Sequence, residues 1–129
     1  MMSFRGFVLF AGGLSGIFGV ALVLVPGLML TINGAATDAT GLMIARLCGA
    51  MLIELGLTQM VLSGVTAPKL QKGILASGLI GTGLGGAITV AMVYSGAAGL
   101  AGLGNTVVFA VLFVGFLVLL RRKDPSAGA

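Results

Sequence analysis

Residues 73–94 read GILASGLIGTGLGGAITVAMVY, from Gly73 to Tyr94, without one charged side chain. A helix needs about 20 apolar residues to cross the roughly 30 Å hydrocarbon layer of a bilayer, and this run is long enough. Lys69 and Lys72 stand before it, and the Gly-rich, uncharged segment Ser95 to Leu103 follows it. Three other runs repeat the pattern. Phe7 to Val25 follows Arg5 and stops at Pro26-Gly27, a pair that disfavours helix continuation. Gly41 to Leu62 follows Asp38, and Gly104 to Leu120 ends at Arg121-Arg122-Lys123. The pattern predicts an all-α fold: a polytopic membrane protein, a bundle of four transmembrane helices joined by short loops, spanning about 7–25, 41–62, 73–94 and 104–120.

Composition excludes a water-facing globule. Hydrophobic residues make up 58% of the 129 residues and charged ones 8%, where a soluble domain carries about 25%; the mean hydropathy is +1.21. The chain is long enough for one domain, residues 1–129. The first run exceeds the roughly 7–15 residues of a signal-peptide core and has no A-x-A-like cleavage site at the right distance, so it is expected to be retained as a helix. Residues 27–40 are expected as a mixed loop, with Leu28-Met29-Leu30 in the membrane interface and turn chemistry at Asn33-Gly34 and Asp38. Residues 63–70 are expected as a tight turn and 121–129 as a polar tail, of which Asp124 to Ala129 is expected to be disordered.

The basic residues fix an expected topology. Arg5, Lys69, Lys72, Arg121, Arg122 and Lys123 fall on one side if the chain crosses four times, while the first and third loops hold no Lys or Arg. By the positive-inside rule both termini are expected to be cytoplasmic, in the cell's inner (plasma) membrane. The formal charge of +4 therefore reads as topology rather than as a nucleic-acid surface. No histidine is present, Cys48 is the one cysteine, and there are three acids. That set points to no disulfide, no haem or metal centre and no cofactor. Gly81-Thr82-Gly83-Leu84-Gly85-Gly86 is not a phosphate loop, because such a motif follows a strand and opens a helix in water.

Small residues suggest how the helices meet. In the third span Gly73, Ser77, Gly81, Gly85 and Thr89 recur at i+4, with Gly78, Thr82 and Gly86 beside them; in the first, Ala11, Ser15 and Gly19 share a ridge flanked by Gly12 and Gly16. Small residues at this spacing let helix backbones approach where lipid removes the hydrophobic drive. Tight contact is therefore expected between the first and third spans, within a subunit or between copies, through Gly12, Gly16, Gly19, Ser77, Gly81 and Gly85.

Arg46 and Glu54 are the charges inside the spans. Ionisable groups in lipid are functional candidates because burying them there is costly. Arg46 is expected about a turn inside the outer end of the second span, where its long side chain snorkels to the headgroups. Glu54 falls near the middle. Eight residues separate the two, about 12 Å of rise and about 80° of rotation, so they do not pair within the helix. Glu54 then needs protonation, a hydrogen bond from a neighbouring helix, a partner subunit or a cation, and Thr58 with Gln59 extends a polar strip from it. Tyr94 and Asn105 are expected as anchors at the outer interface.

Gly12-Gly13-Leu14-Ser15-Gly16, Leu47-Cys48-Gly49 and Gly81 to Gly86 followed by Thr89 resemble segments of the fluoride channels of the Fluc type, which are similar in length and have four helices. The resemblance implies four packed spans. It does not carry the channel's chemistry: the family's pore asparagine would align near Arg46, and its Thr- and Phe-rich segment is replaced by Ala87-Ile88-Thr89-Val90-Ala91.

Function is bounded more than defined. A structural or accessory subunit, packed in the lipid bilayer against a larger membrane complex or as a homo-oligomer, is the expected class. The alternative is a small oligomeric ion channel or transporter with Glu54 as an intramembrane proton or cation site. An enzyme ranks behind both, because no nucleophile with a matching base accompanies Glu54.

Overall fold

The apolar runs fold as the helices their length demands, since a backbone in lipid must satisfy its own hydrogen bonds. In the computed structural model, which describes residues 3–35 and 37–122, these are α1 (Phe4–Leu24), the short α2 (Pro26–Ile32), α3 (Ala39–Leu62), α4 (Pro68–Tyr94) and α5 (Leu103–Leu120). Lys123 and the tail expected to be disordered lie outside the described residues, which contain no strand. Four of these helices are long and apolar enough to cross a membrane. The chain is an all-α, multi-pass membrane protein whose spans form a helical bundle.

Boundaries move where caps act. Ser3 accepts a hydrogen bond from the Gly6 backbone N–H at 3.1 Å, so α1 starts three residues earlier than expected, at Phe4. Asp38 accepts from the Gly41 N–H at 2.8 Å, and α3 begins at Ala39. Proline opens two helices instead of only closing one. Pro26 and Pro68 occupy first-turn positions, where the missing N–H has no intrahelical partner to lose. The expected loop after the first span thus contains α2, and the expected turn at 63–70 already includes the start of α4.

The four spans associate as two antiparallel pairs, α1 with α3 and α4 with α5. They are joined by a core of Phe4, Phe7, Val8 and Ala11 from α1, Leu75 from α4, and Leu112, Phe116 and Leu119 from α5. Phe7 and Phe116 stack edge to face, with ring centroids 4.8 Å apart. The close partner of the first span within the chain is therefore the second span, not the third as expected. Glycine pairs explain the choice. A Cβ built on Gly56 would lie 2.6 Å from the Gly12 carbonyl oxygen, and one on Gly19 would lie 2.6 Å from that of Gly49. Gly12 and Gly19 are seven residues apart, as are Gly49 and Gly56, so two backbone contacts register together along one antiparallel seam.

Each end of the bundle has its own polar fastening. At one end the Asn33 carbonyl accepts from the Gly99 N–H at 2.9 Å, and Asn105 donates its side-chain amide to the Asn33 side-chain oxygen at 2.9 Å. The expected anchor Asn105 is thus a tie between the first loop and α5, while Tyr94 is exposed at the end of α4. At the opposite end, Gln71 is buried and donates to the Val65 carbonyl at 2.8 Å. A cavity of about 330 Å³ there is lined by Ser3, Arg5, Ser63, Thr66 and Gln71 among others.

Candidate functional site on the outward face of α3

The glycine seam decides which way α3 points its charges. Ala45, Gly49 and Gly56 are buried towards α1, whereas Arg46, Leu47, Met51, Glu54, Leu55 and Thr58 are exposed. At about 100° per residue, Glu54 lies about 150° around the helix from the Gly49–Gly56 line, nearly opposite the seam. Arg46 lies about 70° from that line, on its flank. Both project away from the rest of the chain.

Depth separates them further. α3 runs from Ala39 to Leu62, so Glu54 sits about 5 Å from the helix midpoint and about 12 Å from the nearer end, beyond the reach of a glutamate side chain. Because α3 starts earlier than expected, at Ala39, Arg46 lies about two turns inside its N-terminal end rather than one. Its side chain leans towards the helix N-terminus, as helical side chains do, and so towards the headgroups at that end. Neither residue makes a hydrogen bond or ion pair among the described residues. An ionised side chain at the centre of a membrane helix costs about 2.5–3.5 kcal/mol on the insertion scale. Glu54 therefore faces lipid unless something covers it.

Thr58 completes the strip. Thr82 and Thr89 turn their hydroxyls back to the Gly78 and Gly85 carbonyls, each at 2.7 Å; Thr58 makes no such bond among the described residues. Arg46, Ala50, Glu54 and Thr58 are four residues apart in series and all exposed. They form one i+4 ridge, with the small Ala50 between the two charges.

The remaining predicted packing residues divide. Gly12, Gly16 and Gly19 lie in the α1–α3 contact, where a Cβ on Gly56 would lie 2.9 Å from the Gly16 nitrogen. Gly85 faces the Phe109 ring of α5. Ser77 is exposed, bonding only to the Ile74 carbonyl at 2.9 Å, and a Cβ on Gly81 would meet nothing within 4 Å. An apolar groove bounded by Leu14, Phe18, Leu52, Asn105 and Phe109 separates the two helix pairs, and Glu54 does not line it. Among the described residues no three His, Cys, Asp or Glu side chains gather as metal ligands.

Sequence reading missed Gly49 and Gly56, whose matching seven-residue spacing with Gly12 and Gly19 was the available signal. It also missed Gln71, which nothing local distinguishes from a surface glutamine. Comparison of the chain with protein-family models, with curated proteins and with solved structures returns no match. The likeness of three glycine-rich fragments to fluoride channels rests on those fragments alone. Fold and face together define a class, the small multi-pass membrane proteins, with an acidic residue directed away from its own bundle.

Proposed function

We propose that this chain is a structural or accessory subunit, without catalysis of its own, that packs against a larger membrane assembly through the outward face of α3. One observation carries the reading: Glu54 is centred on that face, near mid-span, with no partner among the described residues. A covering helix with a hydrogen-bond donor removes the cost of leaving this group in lipid. The exposed apolar residues around it, Leu47, Met51 and Leu55, suit a helix neighbour as well as they suit acyl chains. The end bearing Arg5, Lys69, Lys72, Arg121 and Arg122 faces the cytoplasm in this proposal, by the positive-inside rule, and the inner membrane is the proposed location.

The competing reading is a homo-oligomeric channel or transporter with Glu54 on a water path between copies. It draws on the same residue but lacks a second carboxylate or a histidine to continue a relay. Purification in mild detergent followed by native mass measurement separates the two. The accessory reading expects a heavier assembly of fixed stoichiometry that falls apart in Glu54→Gln. A pure homo-oligomer that passes ions in liposomes, and stops on Glu54→Gln, would replace it with the channel.

A further inference from the structure

The ridge Arg46–Ala50–Glu54–Thr58 restricts what can cover it. We infer that the helix docked on α3 belongs to a different protein and carries the reverse charge pattern, a cationic side chain level with Glu54 and a carboxylate level with Arg46. The inference rests on the docking reading above and adds the chemistry of the partner.

A second copy in the same orientation fails as the complement. Copies related by an axis along the membrane normal keep every residue at its own depth. Where α3 packs on α3, Glu54 then meets Glu54 and Arg46 meets Arg46, with about 12 Å of rise between opposite charges; where it packs on another helix of the copy, the remaining described charged residues lie nearer the helix ends than Glu54. The N-terminal lean of helical side chains sends Arg46 further outward. Glu54 against Glu54 brings no cationic side chain to either carboxyl, and Arg46 against Arg46 brings no carboxylate to either guanidinium.

An inverted copy fails for another reason. Ala50 lies midway between Arg46 and Glu54 and close to the centre of α3 (Ala39–Leu62), so an upside-down α3 would set Arg46 level with Glu54. That requires the chain to insert in both directions. Arg5, Lys69, Lys72, Arg121 and Arg122 all sit at one end of the bundle, and the loops at the other end hold no Lys or Arg. Such a bias selects one orientation. What remains is a helix of another chain, approaching closely over Ala50, with its cation on Glu54.

The test uses the full chain in phosphatidylcholine vesicles with a donor dye on its N-terminal amine. The probe is an acceptor-labelled, leucine-rich helix of about 24 residues carrying one Lys and one Glu eight positions apart, a length that spans the bilayer. An all-leucine version is the control. Energy transfer is expected to report association about tenfold tighter for the charged helix, the scale of a polar contact between membrane helices. The advantage should vanish in Glu54→Gln and shrink in Arg46→Gln. Equal binding of the two helices would overturn the inference while leaving α3 a docking face; binding of neither would remove the docking reading with it. A Cys48→Ser, Ala50→Cys variant moves the one thiol of the chain from the other flank of α3 onto the ridge itself and supplies a second check in native membranes. Oxidation that links this variant to itself would assign the face to a copy and end the proposal, whereas unlinked chain under conditions that oxidise surface thiols is the expected result.

Discussion

The two helix pairs of this bundle solve the same packing problem with opposite means. Along α1 and α3, glycine meets glycine: the atoms nearest a Cβ on Gly56 are the Gly12 oxygen and the Gly16 nitrogen and Cα, all backbone. Along α4 and α5, glycine meets phenylalanine, Gly78 receiving the ring of Phe116 and Gly85 that of Phe109. A hole filled by a ring can refill when the ring swings, but a backbone cannot move without carrying its helix with it. Lipid provides no hydrophobic drive between helices, so each pair holds by contact alone. The first pair should therefore be brittle and the second forgiving.

Gly56→Ala gives the largest effect. The added methyl would lie 2.6–3.2 Å from three backbone atoms of α1, and overpacking of an interior costs about 1–3 kcal/mol. We expect about 2 kcal/mol lost from the unfolding free energy measured by SDS titration in mixed micelles. A change under half a kcal/mol would mean that the pair yields as a whole, and the contrast between the two seams would collapse.

Gly85→Ala should fall in between. Its methyl would meet the Phe109 ring, 2.5 Å from Cε1 and 2.7 Å from Cζ, the far end of a half-buried side chain that borders an open groove with Gly83, Gly86 and Phe113. Rotation into that groove relieves the overlap at a cost of about 0.5–1.5 kcal/mol for an off-rotamer ring. We expect about 1 kcal/mol in the same titration. A loss equal to that of Gly56→Ala would show the ring to be as fixed as backbone.

The spans were legible because hydropathy over about 20 residues is a property of each run by itself. Pairing is not, since it depends on the phase of two helices together. The i+4 ridge of the third span was the misleading signal. Four residues turn an α-helix through about 400°, so such a ridge drifts about 40° per step. Gly73, Ser77 and Gly81 consequently face outward before Gly85 arrives at α5. Seven residues drift only about 20°, and seven is the spacing of Gly12 with Gly19, Gly49 with Gly56, and Gly78 with Gly85. The same limit applied to Glu54. Its depth and its unusual charge could be read directly, but its outward direction follows from Gly49 and Gly56 turning the other side of α3 towards α1.

Gly81→Ala is the smallest effect and the sharpest control. Gly81 belongs to the same glycine-rich helix as Gly85 and sits one turn away, yet a Cβ there meets nothing within 4 Å. Alanine is also the better helix former, by about 1 kcal/mol in water, so any change from backbone entropy favours the variant. We expect the SDS midpoint to stay within about 0.5 kcal/mol of wild type or to rise, the range of substitutions that touch no packed neighbour. If Gly81→Ala destabilised the isolated chain as Gly85→Ala does, the small-residue ridge would be acting as one unit against α5. A neutral result in micelles combined with loss of the assembly isolated from native membranes would instead put Gly81 under a neighbour outside this chain. That outcome would leave the contrast between the two seams intact and add a second contact face, on α4, to the one carried by Glu54.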